Sequence, residues 1–122
     1  MKTLLLAGSV VSLTALAVPG AAMPQYGYRA PATTSVTTVH VTAKDFAFVL
    51  SRKTVPHGRV KFVIRNTAAT AHDFAIAGHT SKTINKGQTT TMTVMLKRGR
   101  WPYKCTVDSH ASLGMKGMLR VT

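Results

Sequence analysis

From residue 36 onward, apolar and polar positions alternate in short runs. In SVTTVHVTAK, Val39 and Val41 alternate with polar neighbours, and in DFAFVLS, Phe46, Phe48 and Leu50 share one face. RVKFVIRN sets Val60, Phe62 and Ile64 against Arg59, Lys61 and Arg65. The period recurs at His72, Phe74 and Ile76, at Met92, Val94 and Leu96, and at Trp101, Tyr103 and Cys105, before MLRVT closes the chain. A period of two sends successive side chains to opposite faces, so each run reads as a strand with one buried side. PHG at 56–58 and NKG at 85–87 punctuate the runs as turns. No helical period appears, and residues 108–114 hold at most one helical turn. Short strands with turns about every ten residues predict an all-β fold, a Greek-key β-sandwich of seven or eight strands.

The N-terminus reads differently. MKTLLLAGSVVSLTALAVPGAA has one basic residue, Lys2, an apolar run over 4–18, and then small residues. This is the pattern of a secretory signal peptide. The run is short of the roughly 20 residues that a membrane span requires. Gly20 and Ala22 flank Ala21 as a small-x-small site, which predicts a leader over 1–22; an uncleaved membrane anchor is the alternative. Residues 23–35, rich in Pro, Ala and Thr without period, are expected to be a flexible lead-in. Residues 36–122 are then one small domain, with a periplasmic or secreted location.

Charge narrows the partners. The 122 residues carry 16 Lys and Arg against Asp45, Asp73 and Asp108, with no Glu, for a formal net charge of +13. Such an excess surrounds a small domain with a positive field. Anionic proteins or lipid headgroups suit it. Export, and the lack of basic residues interleaved with aromatics, argue against nucleic acid. A monomer is expected, with membrane association only through an uncleaved N-terminal segment. Lys97, Arg98 and Arg100 read as a solvated loop, with a docking patch as the alternative.

The candidate chemistry lies in YKCTVDSHASLGMKG. Cys105 is the only cysteine, so no internal disulfide is available to it. A free thiol in an oxidising compartment is open to oxidation unless bound. His110 and Met115 follow at intervals of five. Thiolate and thioether favour Cu(I), imidazole suits both copper states, and a Cys with two His and a long axial Met is the blue-copper donor set. The second imidazole must come from elsewhere, and His72, where a loop of small residues enters a strand, is the best candidate. His40, His57 and His79 lack partners at ligand spacing and read as surface residues. Met92 and Met95 belong to strand faces. Met118 competes as an axial ligand but lies in the closing strand, where core packing is expected. Zinc is a rival for the same atoms, although Cu(II) outcompetes it at N and S donors. A Cys–His nucleophile pair lacks an orienting third residue, so no enzyme activity is expected. No His-x-His pairs supply a multicopper cluster.

AHDFAIAG together with GRWPYKCTVDSHASLGMKGMLRV resembles the cupredoxin family, the plastocyanin- and azurin-like blue copper proteins. The spacing of Cys105, His110 and Met115 is similar to that of longer-loop, auracyanin- or rusticyanin-type members. The resemblance spans about residues 36–122. It implies one type 1 copper ion, with His72, Cys105 and His110 as strong ligands and Met115 as the axial one. It also implies a one-electron carrier cycling between Cu(I) and Cu(II), with redox partner proteins that the basic surface suggests have acidic docking surfaces. A module for copper storage or delivery is the alternative. Many relatives carry Asn directly after the first ligand His, where this chain has Asp73. That position helps tie the two ligand loops, here through Thr106.

Overall fold

The computed structural model describes residues 8–17, 19, 20, 22, 24, 26, 27 and 35–122. The rest of the expected leader and lead-in lies outside the described residues, and with it the predicted cleavage junction. The chain divides into two compact units, Met1–Pro31 and Ala32–Thr122. All the strands belong to the second. Among the described residues no helix is long and apolar enough to cross a membrane.

Among the described residues nine strands form in chain order: β1 (Val36–Lys44), β2 (Ala47–Leu50), β3 (Thr54–Val55), β4 (Gly58–Asn66), β5 (Ala75–Ile76), β6 (His79–Thr80), β7 (Thr89–Leu96), β8 (Gly99–Lys104) and β9 (Lys116–Val121). Three of them are only two residues long, which is too short for a period-two pattern to announce. One sheet has the order β2-β1-β4-β7 and the other β3-β9-β8-β5-β6. Both are mixed, because β1 runs parallel to β4 and β3 parallel to β9. The chain passes repeatedly from one sheet to the other, as the Greek-key expectation requires.

The alternation explains the layers. Val39, Val41, Val60, Phe62, Ile64, Val94 and Leu96 from one sheet meet Val55, Ile76, Tyr103, Leu119 and Val121 from the other in a single buried cluster. Phe74 sits at its centre. Its ring stacks on Tyr103 at 5.4 Å, lies 5.1 Å from Phe62, and meets Phe48 edge-on at 5.3 Å. Fully burying side chains of this size contributes about 1.5–3 kcal/mol each. Gly117 faces Tyr103 across β8–β9, and a Cβ there would strike the Tyr103 ring and hydroxyl. This register position therefore demands glycine.

Two expectations fail locally. Phe46 does not share the inward face of Phe48 and Leu50. It is a turn residue between β1 and β2, 37 % exposed, with a left-handed φ of 60°. The hairpin closes through only Asp45 and Phe46, which takes Phe46 off the strand and aims its ring elsewhere. Met118 is not a core residue either. It lies in β9 but on the outer face, 51 % exposed, because the inward positions of that strand belong to Leu119 and Val121.

Candidate metal centre

At one pole of the sandwich a second, smaller cluster forms from Ala43, Cys105 and Met115, with Phe48 and Val107 against it. Cys105 follows the last residue of β8 and keeps the inward direction set by Trp101 and Tyr103. The chain then leaves the sheet in a loop of successive turns. The amide of Leu113 donates to Ser109 O, and that of Met115 donates to His110 O. The amide of Cys105 donates to Met115 O at 3.0 Å, which closes the loop at its base. Asp108, with φ 46°, and Gly114, with φ 110°, supply the left-handed bends. His110 and Met115 are thereby turned inward, to 8 % and 0 % exposure.

His72 reaches the same place from the connection between β4 and β5. Its backbone bridges Ile84 in both directions, at 3.1 and 2.8 Å. The loop before it hangs on Asn66, which is fully buried. The Asn66 amide group donates to Thr70 O at 2.8 Å and Ile84 O at 2.9 Å, and its oxygen accepts from Ala68 N at 2.9 Å. A buried polar side chain satisfied in this way fixes a loop that has little apolar surface of its own.

The structure brings three of the four predicted donors together by their polar atoms. His72 Nδ1 lies 3.1 Å from His110 Nδ1. Cys105 Sγ lies 3.9 Å from His72 Nδ1 and 3.7 Å from His110 Nδ1. All three residues are buried and their donor atoms lie within 4.8 Å of one another. Metal bonds of about 2.0–2.3 Å to nitrogen and sulfur span such a triangle. The fourth, Met115, is buried beside Cys105 in the same cluster. His40, His57 and His79 are exposed, as expected of surface residues.

Tautomer and orientation are set from behind. Thr70 Oγ1 donates to Asp45 Oδ1 at 3.2 Å and so presents a lone pair to His72 Nε2, also at 3.2 Å. His72 Nε2–H can donate there, which leaves Nδ1 as the bare lone pair facing Cys105. His110 is braced by the Phe46 ring, edge-on at 5.2 Å. The two-residue hairpin thus serves both imidazoles, Asp45 through Thr70 and Phe46 directly. Neither Asp45 nor Thr70 was singled out from sequence. A Thr two residues before a candidate ligand His was the available hint.

Asp73 locks the two loops to each other. Its Oδ1 accepts from Thr106 N at 2.6 Å and its Oδ2 from Thr106 Oγ1. The expected tie through Thr106 is present. Burial pushes the Cys105 thiol above its ordinary pKa, while the amides of Asp73 and Val107, bonded to the sulfur, pull it down. His72 is held below its ordinary value, first by burial and then by the neighbouring His110, with Asp45 and Asp73 acting the opposite way. His72 is therefore less readily protonated than a free imidazole, which keeps its ring nitrogen available to a cation. A soft sulfur with two imidazoles is a donor set that copper fits, and zinc would more often take a fourth strong ligand or water.

A single small sandwich with a buried Cys–His–His group at one pole is a β-fold metal-binding protein. The chain matches the model of the Cupredoxin-like domain over residues 9–121 and belongs to that family. No curated protein matches it in sequence. Among solved structures it is similar to dithionite-reduced auracyanin from the photosynthetic bacterium Roseiflexus castenholzii, with 21% identity over 70% of this chain and 97% of that one, and a TM-score of 0.65. Auracyanin B is similar at 20% identity, over 76% and 93% of the two chains, TM-score 0.65. Auracyanin A, a "blue" copper protein from the green thermophilic bacterium Chloroflexus aurantiacus, is similar at 21% identity, over 72% and 100%, TM-score 0.63. At these identities the likeness establishes the fold.

Proposed function

We propose that the protein is an exported one-electron carrier with a type 1 copper site formed by His72, Cys105 and His110, and with Met115 as the axial ligand. The observation that carries the reading is the triangle of Nδ1, Nδ1 and Sγ atoms, buried and braced from behind. Bound copper supplies the one-electron couple. The protein's part is to keep the donors from moving when charge changes. Asn66 holds one loop, Asp73 joins it to the other, and Phe74, two residues after His72, anchors that segment by stacking on Tyr103. A preorganised set of ligands on a packed scaffold lowers reorganisation.

The leader pattern at residues 1–22 supports a periplasmic or secreted location. His110, at the edge of the site beside Phe46 and Ala111, is the route by which a partner's electron would enter or leave. The excess of basic residues fits redox partners with acidic surfaces, for which charge sets encounter rate more than affinity.

The burial of every donor favours a carrier over the alternative, a storage or delivery module, which needs an ion that exchanges readily. Loading with Cu(II) and cycling with ascorbate and ferricyanide tests the reading. An intense visible thiolate-to-copper band that bleaches and returns without loss of metal is expected. Absence of the band ends the blue-copper reading, and rapid transfer of copper to a weak chelator moves the function to delivery.

A further inference from the structure

The outer face of the five-stranded sheet carries a pattern that folding does not require. Across β8 and β9, Arg100 stands directly opposite Arg120, Pro102 opposite Met118, and Lys104 opposite Lys116. All six are exposed. Two rows of paired cations thus flank one apolar row. Like charges directly opposite each other on a sheet are destabilising. The other sheet shows the same chain avoiding this cost. Its outward cations, Arg59, Lys61 and Arg65 of β4, face Met95, Thr93 and Thr89 on β7 and Val36, Thr38 and Thr42 on β1.

At the Lys104–Lys116 row lies an open groove of about 1100 Å³, lined by these two lysines with Ala75, Ala77, Pro102 and Met118. Proline is unusual inside a sheet because it donates no ladder bond. Pro102 is tolerated here because β5, the neighbour on that side, ends at Ile76, paired with Tyr103. The same early ending opens the groove.

We propose that this face is the docking site for an acidic protein partner. This rests on the carrier reading only in making that partner a redox protein. No acidic side chain of these 122 residues lies on this face. Residues 1–35 contain no acid, and the three aspartates are Asp45 in the β1–β2 turn, Asp73 held by Thr106, and Asp108 in the loop after β8. A second copy would present the same cations. Pro102 and Met118 line a groove edged by Lys104 and Lys116, which suits an inserted side chain better than a flat lipid surface. The cationic rows are four residues apart along each strand, about 13 Å at about 3.3 Å per residue. An extended acidic segment with Glu, an apolar residue and Glu at alternate positions has matching spacing. Lys104 precedes Cys105, so a protein seated on its row lies against the strand that leads to the thiolate.

The test uses the copper-loaded protein, a synthetic peptide Glu-Glu-Thr-Leu-Thr-Glu-Glu, and its all-Gln counterpart, followed by amide shifts at low salt. Shifts confined to β5, β8 and β9, seen with the Glu peptide alone and weakened about tenfold by high salt, are expected. Arg100→Glu with Arg120→Glu should weaken binding about tenfold, whereas Arg59→Glu with Lys61→Glu should change it about twofold or less. Met118→Ser should weaken binding with all charges kept. An unchanged visible band shows that each variant is folded. No binding, shifts on the other sheet, or equal binding by the Arg100→Glu, Arg120→Glu variant overturns the proposal. Binding to phosphatidylglycerol vesicles without binding to the peptide also overturns it, in favour of a lipid surface. In the unmutated protein, no peptide binding with the band intact sinks the docking face alone, and a missing band with peptide binding present sinks the carrier reading alone.

Discussion

The body of the sandwich is filled from its strands and the metal pole largely from the connections between them, with opposite chemistry. In the body, Val, Ile, Leu and Phe interdigitate around Phe74 and no charged group is needed. At the pole, within a few residues of that core, Asn66, His72, Asp73 and His110 are all buried. Burying polar groups is costly unless each finds a partner, and here no buried side-chain nitrogen or oxygen among the described residues lacks one. The partners are arranged so that three donor atoms are left facing one point. The body stabilises the fold, and the pole uses part of that stability to hold a binding site.

Mutations that separate the two regions should have opposite signatures. Cys105→Ala should have the largest effect on the pole: the visible band of the copper-loaded protein disappears, while apo unfolding in urea changes by about 1 kcal/mol. Phe62→Ala should do the reverse, costing about 3–5 kcal/mol in unfolding free energy with the band retained in the folded fraction. Loss of the band in Phe62→Ala, or a collapse of apo stability in Cys105→Ala, would show that the two regions are one unit.

Thr70→Val tests the bracing. It removes the hydroxyl between Asp45 and His72 Nε2 while keeping the shape, so copper retention against a chelator should fall about 10–100-fold with the fold intact. Unchanged retention would mean that His72 needs no support from behind.

The smallest expected effect is on pH. The unfolded chain protonates His72 near 6.5, and the folded apo protein only at lower pH. Between those values the unfolded state holds more protons, so stability rises with pH there. This contribution is present in full above the unfolded value and is lost as pH falls through the folded one. The apo urea midpoint should therefore drop as pH falls below about 6.5, and less steeply in His72→Gln. Equal slopes in the two proteins would contradict the assignment of that drop to His72.

The contrast also explains what could be read in advance. Strands such as β4 and β7 were legible because one face is buried and the other wet, and that alone imposes the period. The ligand spacing of Cys105, His110 and Met115 was legible because a single loop carries all three. Phe46 was misread because its place in the pattern fits a strand, while the two-residue hairpin takes it into a turn. Met118 was misread because Gly117 and the Tyr103 ring fix the register of β9, which no local pattern reveals. Asn66, Thr70 and Asp45 act through contacts between segments distant in sequence, and a polar residue in a loop looks the same whether it is solvated or holds the site together. The cation pairs of β8 and β9 were equally hidden, since only register makes Arg100 meet Arg120.

His72, Cys105 and His110 converge on one point, where a copper ion would be held. A crystal structure of the copper-loaded protein, with anomalous data at the copper edge, addresses this directly. A single strong peak bonded to His72 Nδ1, His110 Nδ1 and Cys105 Sγ, with Met115 on the axis, is expected. A peak elsewhere, or an ion at this pole that Cys105 does not touch, would contradict it.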